Sequence, residues 1–131
     1  MSRAFVKEGD GEAVLPERAV SLHPNFVTAN GLAQIEERVR ALEAARRAAR
    51  KAARDGAAAQ DAAALSTIER DLRYWTQRKA SARLVTPAPD PEVVRFGVAV
   101  TLHDAAGATR VLRIVGEDEA DPARGLVSWA S

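Results

Sequence analysis

Two apolar stripes of identical spacing, set on either side of an Asp-Gly break, constrain this chain more than any other feature. Leu32, Ile35, Val39 and Leu42 step by three, four and three residues, and Leu65, Ile68, Leu72 and Trp75 repeat the pattern. That spacing puts each set on one face of a helix. Neither stretch, Thr28 to Arg54 or Ala57 to Ala82, contains Pro, and Asp55-Gly56 lies between them. Gly is the favoured residue just past a helix C-terminus. Two helices joined by so tight a turn must run antiparallel, and the stripes are narrow enough for a coiled-coil seam. The expected hairpin covers about 29–82 with its turn at Asp55–Ala59. Thr28 is its N-cap candidate, and Gly31 is a weak point in its first turn. Antiparallel pairing about the turn brings Trp75 level with Leu32, Ile35 or Val39.

Composition sets where the hairpin is strong. Of the 131 residues 28 are Ala, and 13 of these fall between positions 41 and 64. Ala favours helix but buries little area. The hairpin is therefore expected to be anchored at its open end, where Leu, Ile, Val and Trp sit, and thin toward its tip.

The rest of the chain divides around it. Residues 1–27 hold Gly9, Gly11, Pro16 and Pro24 with mixed charge and no periodicity. They read as a flexible N-terminal extension, with Phe5, Val6 and Phe26 as the residues able to dock on the body. Residues 28–86 are the coiled-coil hairpin. Residues 87–92, with Pro87, Pro89 and Pro91, are a linker, since closely spaced prolines favour extended backbone. Residues 93–131 turn to β patterning. Val93–Phe96, Val98–Leu102, Thr109–Val115 and Leu126–Trp129 are the strand candidates, and the middle two form a hairpin across Asp104–Gly107. No strand is expected before residue 85. The fold class is α+β, an N-terminal antiparallel helical hairpin followed by a small antiparallel β domain.

Several chemistries have no residues to carry them. The chain has no Cys, which removes disulfides, thiolate metal sites and cysteine nucleophiles and fits a reducing compartment. No apolar run approaches the ~20 residues needed to span a bilayer. The first residues lack the apolar stretch of a secretory signal. The expectation is a soluble, cytoplasmic protein with no membrane partner and no small-molecule substrate. His23 and His103 have no spacing partner, Ser66 and Ser81 have no Gly-flanked elbow, and no phosphate-binding loop is present. Glu117, Asp118, Glu119 and Asp121 lack the ligand pattern of a Ca²⁺ loop and read as a solvated acidic loop.

The net charge of +1 hides an uneven distribution: residues 32–54 carry net +4 and residues 88–131 net −3. Arg46, Arg47, Arg50, Lys51 and Arg54 are five cations in nine residues with no acid among them. On a helix 46, 50 and 54 form one strip, with 47 and 51 beside it. Like charges at this spacing repel by a few tenths of a kcal/mol each. The ordinary reading is a solvated face that complements the helix dipole; the functional one is contact with nucleic-acid phosphate. Asp55 and Asp61 are the only acids between Glu43 and Glu69 and bracket the turn. Two carboxylates at the end of a rod are able to share a Mg²⁺ with a partner, although Asp-Gly is also a common turn.

A helical hairpin, a linker, a β domain with Phe96-Gly97 and the string Ile114-Val115-Gly116-Glu117-Asp118-Glu119-Ala120-Asp121-Pro122 resembles the GreA/GreB transcription elongation factors. Val27-Thr28-Ala29-Asn30-Gly31-Leu32 resembles that family's helix start. The resemblance covers about residues 27–131. It implies an FKBP-like C-terminal domain that docks on bacterial RNA polymerase at the rim of the secondary channel, with the coiled coil inside. It implies tip acids that help hold the Mg²⁺ of the polymerase active site, and a coiled-coil basic patch on the nascent RNA 3′ end, here Arg46, Arg47, Arg50, Lys51 and Arg54. The protein would be an accessory factor rather than an enzyme, with no metal or cofactor of its own.

The chain departs from the family in three ways. The family's tip pattern, Gly-Asp-Leu-Lys-Glu-Asn-Ala-Glu-Tyr, is replaced by Arg54-Asp55-Gly56-Ala57-Ala58-Ala59-Gln60-Asp61, so no catalytic acid carries over by position and Asp55 and Asp61 are only the nearest candidates. Each helix is about five residues short, which at 1.5 Å per residue draws the tip back by ~7–8 Å. The chain stops at Ser131, where the family continues with a Pro-containing segment and further strands. Two alternatives to an elongation factor of the usual kind follow: a secondary-channel competitor or inhibitor that does not promote cleavage, and a coiled-coil interaction module with no polymerase role.

Overall fold

The computed structural model describes residues 15–56, 59–88 and 92–131. Helix α1 (Ala29–Arg54) and helix α2 (Ala59–Ser81) form the expected hairpin. Thr28 caps α1: its backbone is extended and its hydroxyl accepts the Gly31 N–H at 2.9 Å. Asp55 closes the helix, and Gly56 follows at φ +89°, a conformation that favours glycine. Of the expected turn, Ala57 and Ala58 lie outside the described residues.

The core sits at the open end. Val27, Ile35, Val39, Leu72 and Trp75 are buried together, with Leu32, Leu42 and Tyr74 packed against them. On α1 no residue beyond Val39 is buried. The exhausted apolar supply toward the tip thus appears directly as exposure.

The open end also carries strands, contrary to the expectation of none before residue 85. β1 (Phe26–Val27) pairs in parallel with β2 (Arg83–Leu84), the stretches that enter α1 and leave α2. Arg83 N–H donates to the Asn25 carbonyl at 2.8 Å and Val85 N–H to the Val27 carbonyl at 2.9 Å. A hairpin brings its two ends together, and extended residues there satisfy their backbone groups by pairing.

A second sheet follows: β3 (Ala99–His103), β4 (Thr109–Val115) and β5 (Leu126–Ser128), in that spatial order. β3 and β4 are antiparallel, with Val100 opposite Leu112. β5 joins β4 in parallel, with Ile114 opposite Val127, so the sheet is mixed rather than antiparallel throughout. The segment Gly116–Gly125 and its short 3₁₀ helix (Pro122–Arg124) form the crossover that permits it. The stretch Val93–Phe96 is not a strand. The chain there turns, with Gly97 at φ +82° against the Pro87 ring.

Residues 1–14 of the extension expected at 1–27, Phe5 and Val6 among them, lie outside the described residues, as do 89–91 of the linker. Residues 15–27 lie along the hairpin and the sheet. Glu17 pairs with Arg73, Arg18 with Asp71, Ser21 with Glu117, and Phe26 packs on Phe96 and Trp129.

Candidate functional site

The hairpin joins the sheet through a polar clasp at its base. Arg78 continues the buried face of α2 one turn past Trp75 and is only 2% exposed. Its guanidinium reaches the Asp118 carboxylate through Nε at 2.6 Å and the Asn25 side-chain oxygen through Nη2 at 2.9 Å. Asn25 in turn donates to the Arg78 carbonyl at 2.8 Å, and Tyr74 donates its hydroxyl to the other Asp118 oxygen at 2.8 Å. A buried charge needs this degree of pairing.

Glu119 does the same for α1. Its carboxylate accepts from the Thr28 hydroxyl at 2.5 Å and from the Asn30 amide at 3.0 Å. A carboxylate at a helix N-terminus is favoured by the macrodipole. It also explains Gly31. A Cβ there would come within 2.8 Å of the Glu119 carboxylate, so the apparent weak point is what admits the cap. The acidic string read as a solvated loop is therefore a docking surface: Glu119 is buried, and Asp118 is nearly so. The neglected sequence signal was Arg78, a cation in register with Leu72 and Trp75.

Burial, and then the hydrogen bond to Asp118, push the Tyr74 hydroxyl up to about 12. Because the folded value lies above the ordinary one near 10, Tyr74 adds no pH dependence below about pH 10. Stability should then fall between about pH 10 and 12, as the unfolded chain ionises first. Urea titrations across that window should show the fall in the natural chain and a smaller one in Tyr74→Phe. Equal slopes in both would contradict the assignment.

The basic residues lie on the flank and toward the tip. Arg46 and Arg50 line a groove of about 530 Å³ between the helices, whose α2 wall includes Glu69 and Arg73. Arg50 pairs with Glu69 at 2.6 Å, and Lys51 with Asp55 at 3.1 Å. Arg47, Lys51 and Arg54 are exposed, and Arg46 is partly so. The strip is therefore not one free face: Arg50 and Lys51 are engaged, while Arg46, Arg47 and Arg54 make no ion pair among the described residues.

Asp55 and Asp61 sit at opposite ends of the turn, Asp55 at the C-cap of α1 and Asp61 in the first turn of α2. Asp55 is committed to Lys51. Among the described residues no group of three His, Cys, Asp or Glu side chains is placed to hold a metal ion. No helix among the described residues is long and apolar enough to cross a membrane.

Comparison with known proteins bears out the resemblance. Residues 88–131 match the family model described as transcription elongation factor GreA/GreB, C-terminal. The transcription elongation factor GreB of Xanthomonas axonopodis pv. citri is 44% identical over 66 residues, 49% of this chain and 39% of the relative. GreB of Pasteurella multocida is 40% identical over 65 residues, 49% of this chain and 41% of the relative. GreB of Neisseria meningitidis is 36% identical over 66 residues, 49% of this chain and 40% of the relative. The match spans about two-fifths of the length of these relatives.

Proposed function

We propose that this chain is a Gre-type transcription elongation factor that binds bacterial RNA polymerase at its secondary channel and modulates elongation of paused or backtracked complexes. The observation that carries this reading is the union of two parts: residues 88–131, which match the GreA/GreB C-terminal model, and a helical hairpin held on them by Arg78, Asp118 and Glu119. Residues 88–131 are the natural docking unit, and the hairpin is the part that reaches. Arg46, Arg47, Arg50, Lys51 and Arg54 would face the nascent RNA 3′ end, and any chemistry would be the polymerase's own.

Within that role the tip favours occupancy without cleavage. Mg²⁺ takes carboxylate oxygens at about 2 Å in near-octahedral geometry. Asp55 is short, sits on the opposite arm from Asp61 and is paired with Lys51. Immobilised protein should retain core RNA polymerase; failure to do so would leave the coiled-coil interaction module as the reading. Added to a stalled, backtracked complex with Mg²⁺, it should stimulate transcript cleavage little or not at all. Cleavage equal to that of a full Gre factor, lost in Asp55→Ala or Asp61→Ala, would restore both as the metal-holding pair.

A further inference from the structure

One of the guanidiniums that line the groove between the helices, Arg73, already holds an anion, and that anion belongs to the chain itself. Glu17, from the segment preceding the hairpin, places both carboxylate oxygens on Arg73. Nε lies 2.9 and 3.1 Å from the two oxygens, and Nη2 lies 2.6 Å from Oε1. The contact holds the Glu17 carboxyl below its usual range. This two-pronged geometry is also the one by which a guanidinium takes a phosphate. Arg73 lines the same groove as Arg46 and Arg50. Of these three, Arg50 holds Glu69 and Arg73 holds Glu17, while Arg46 has no ionic partner among the described residues.

We propose that Glu17 is a built-in competitor that holds the Arg73 guanidinium at the edge of this groove until a phosphodiester of single-stranded RNA displaces it. This rests on the reading of the hairpin flank as an RNA surface. Both partners are about half exposed, so the pair is weak enough for a polyanion to displace. The segment behind Glu17 is held independently: Arg18 bonds Asp71 and lies 4.0 Å over the Tyr74 ring, and Asn25 is locked into the base. Release of Glu17 therefore frees the Arg73 guanidinium without detaching the segment, and the carboxylate stays close enough to return.

The test is fluorescence anisotropy of a short labelled single-stranded RNA against the full chain at low salt. Glu17→Gln should tighten binding by about two- to fivefold. That gain should vanish in an Arg73→Gln background, because Glu17 acts through Arg73. Glu37→Gln removes the same charge from the Arg40 pair outside the groove and should give a distinctly smaller gain. A Glu17→Gln gain no larger than that of Glu37→Gln, or one that persists without Arg73, overturns the competitor. Unchanged binding in Arg46→Gln/Arg50→Gln overturns the RNA reading of the groove and the competitor with it. Weakened binding in that pair with no Glu17 effect overturns the competitor alone.

Discussion

Trp75→Ala should cost about 3–5 kcal/mol in urea unfolding, enough to leave a chain of this size largely unfolded at modest temperature. The indole is 7% exposed and belongs to the cluster with Ile35, Val39 and Leu72. Tyr74 meets it edge-on at 5.0 Å, and the Arg38 guanidinium lies 4.8 Å from its ring centre. Truncation removes the largest apolar body from the hairpin's buried cluster, and the Ala-rich remainder of the hairpin has nothing with which to fill the hole. Trp75→Phe should recover much of the loss. A cost below about 1 kcal/mol for the Ala variant would mean the ring is not a core element.

Arg78→Ala should be comparably severe, at about 3–5 kcal/mol, for a different reason. It leaves the Asp118 carboxylate and the Asn25 amide oxygen without their partner in a buried setting. The signature is non-additivity. In a double-mutant cycle Arg78→Met with Asp118→Leu should cost clearly less than the sum of the single changes, because removing both charges removes the desolvation problem. Additive costs would show that the pair is not coupled.

The hairpin was legible because its signals were local and repeated. Two matched stripes, a Thr cap and an Asp-Gly stop all point to the same element, and the structure places α1 and α2 within a residue or two of the expected limits. The strand Thr109–Val115 was legible for the same reason. What escaped was non-local. The pairing of Phe26–Val27 with Arg83–Leu84 follows from hairpin closure and leaves no alternation in two residues. Val93–Phe96 has β-branched composition but lies next to Gly97, where positive φ and the Pro87 ring impose a turn. The acidic string looked like a solvated loop because composition does not reveal which carboxylate will find a buried guanidinium. Of the candidate site, the positions of the basic residues were readable, but the carboxylates that occupy Arg50, Lys51 and Arg73 were not.

The clasp at the base has a consequence best put as mechanics. The rod is a beam clamped at one end: its fixings, Arg78, Glu119 and the β1–β2 pair, lie at the root, and its packing thins toward the free end. A helix of 26 residues is roughly 39 Å long. Over that lever a tilt of about 10° at the root carries the far end through roughly 7 Å, about the reach of an extended arginine side chain. The aim of the tip is thus decided by the residues farthest from it, and small changes in the acidic string should redirect the rod more than any substitution along its shaft.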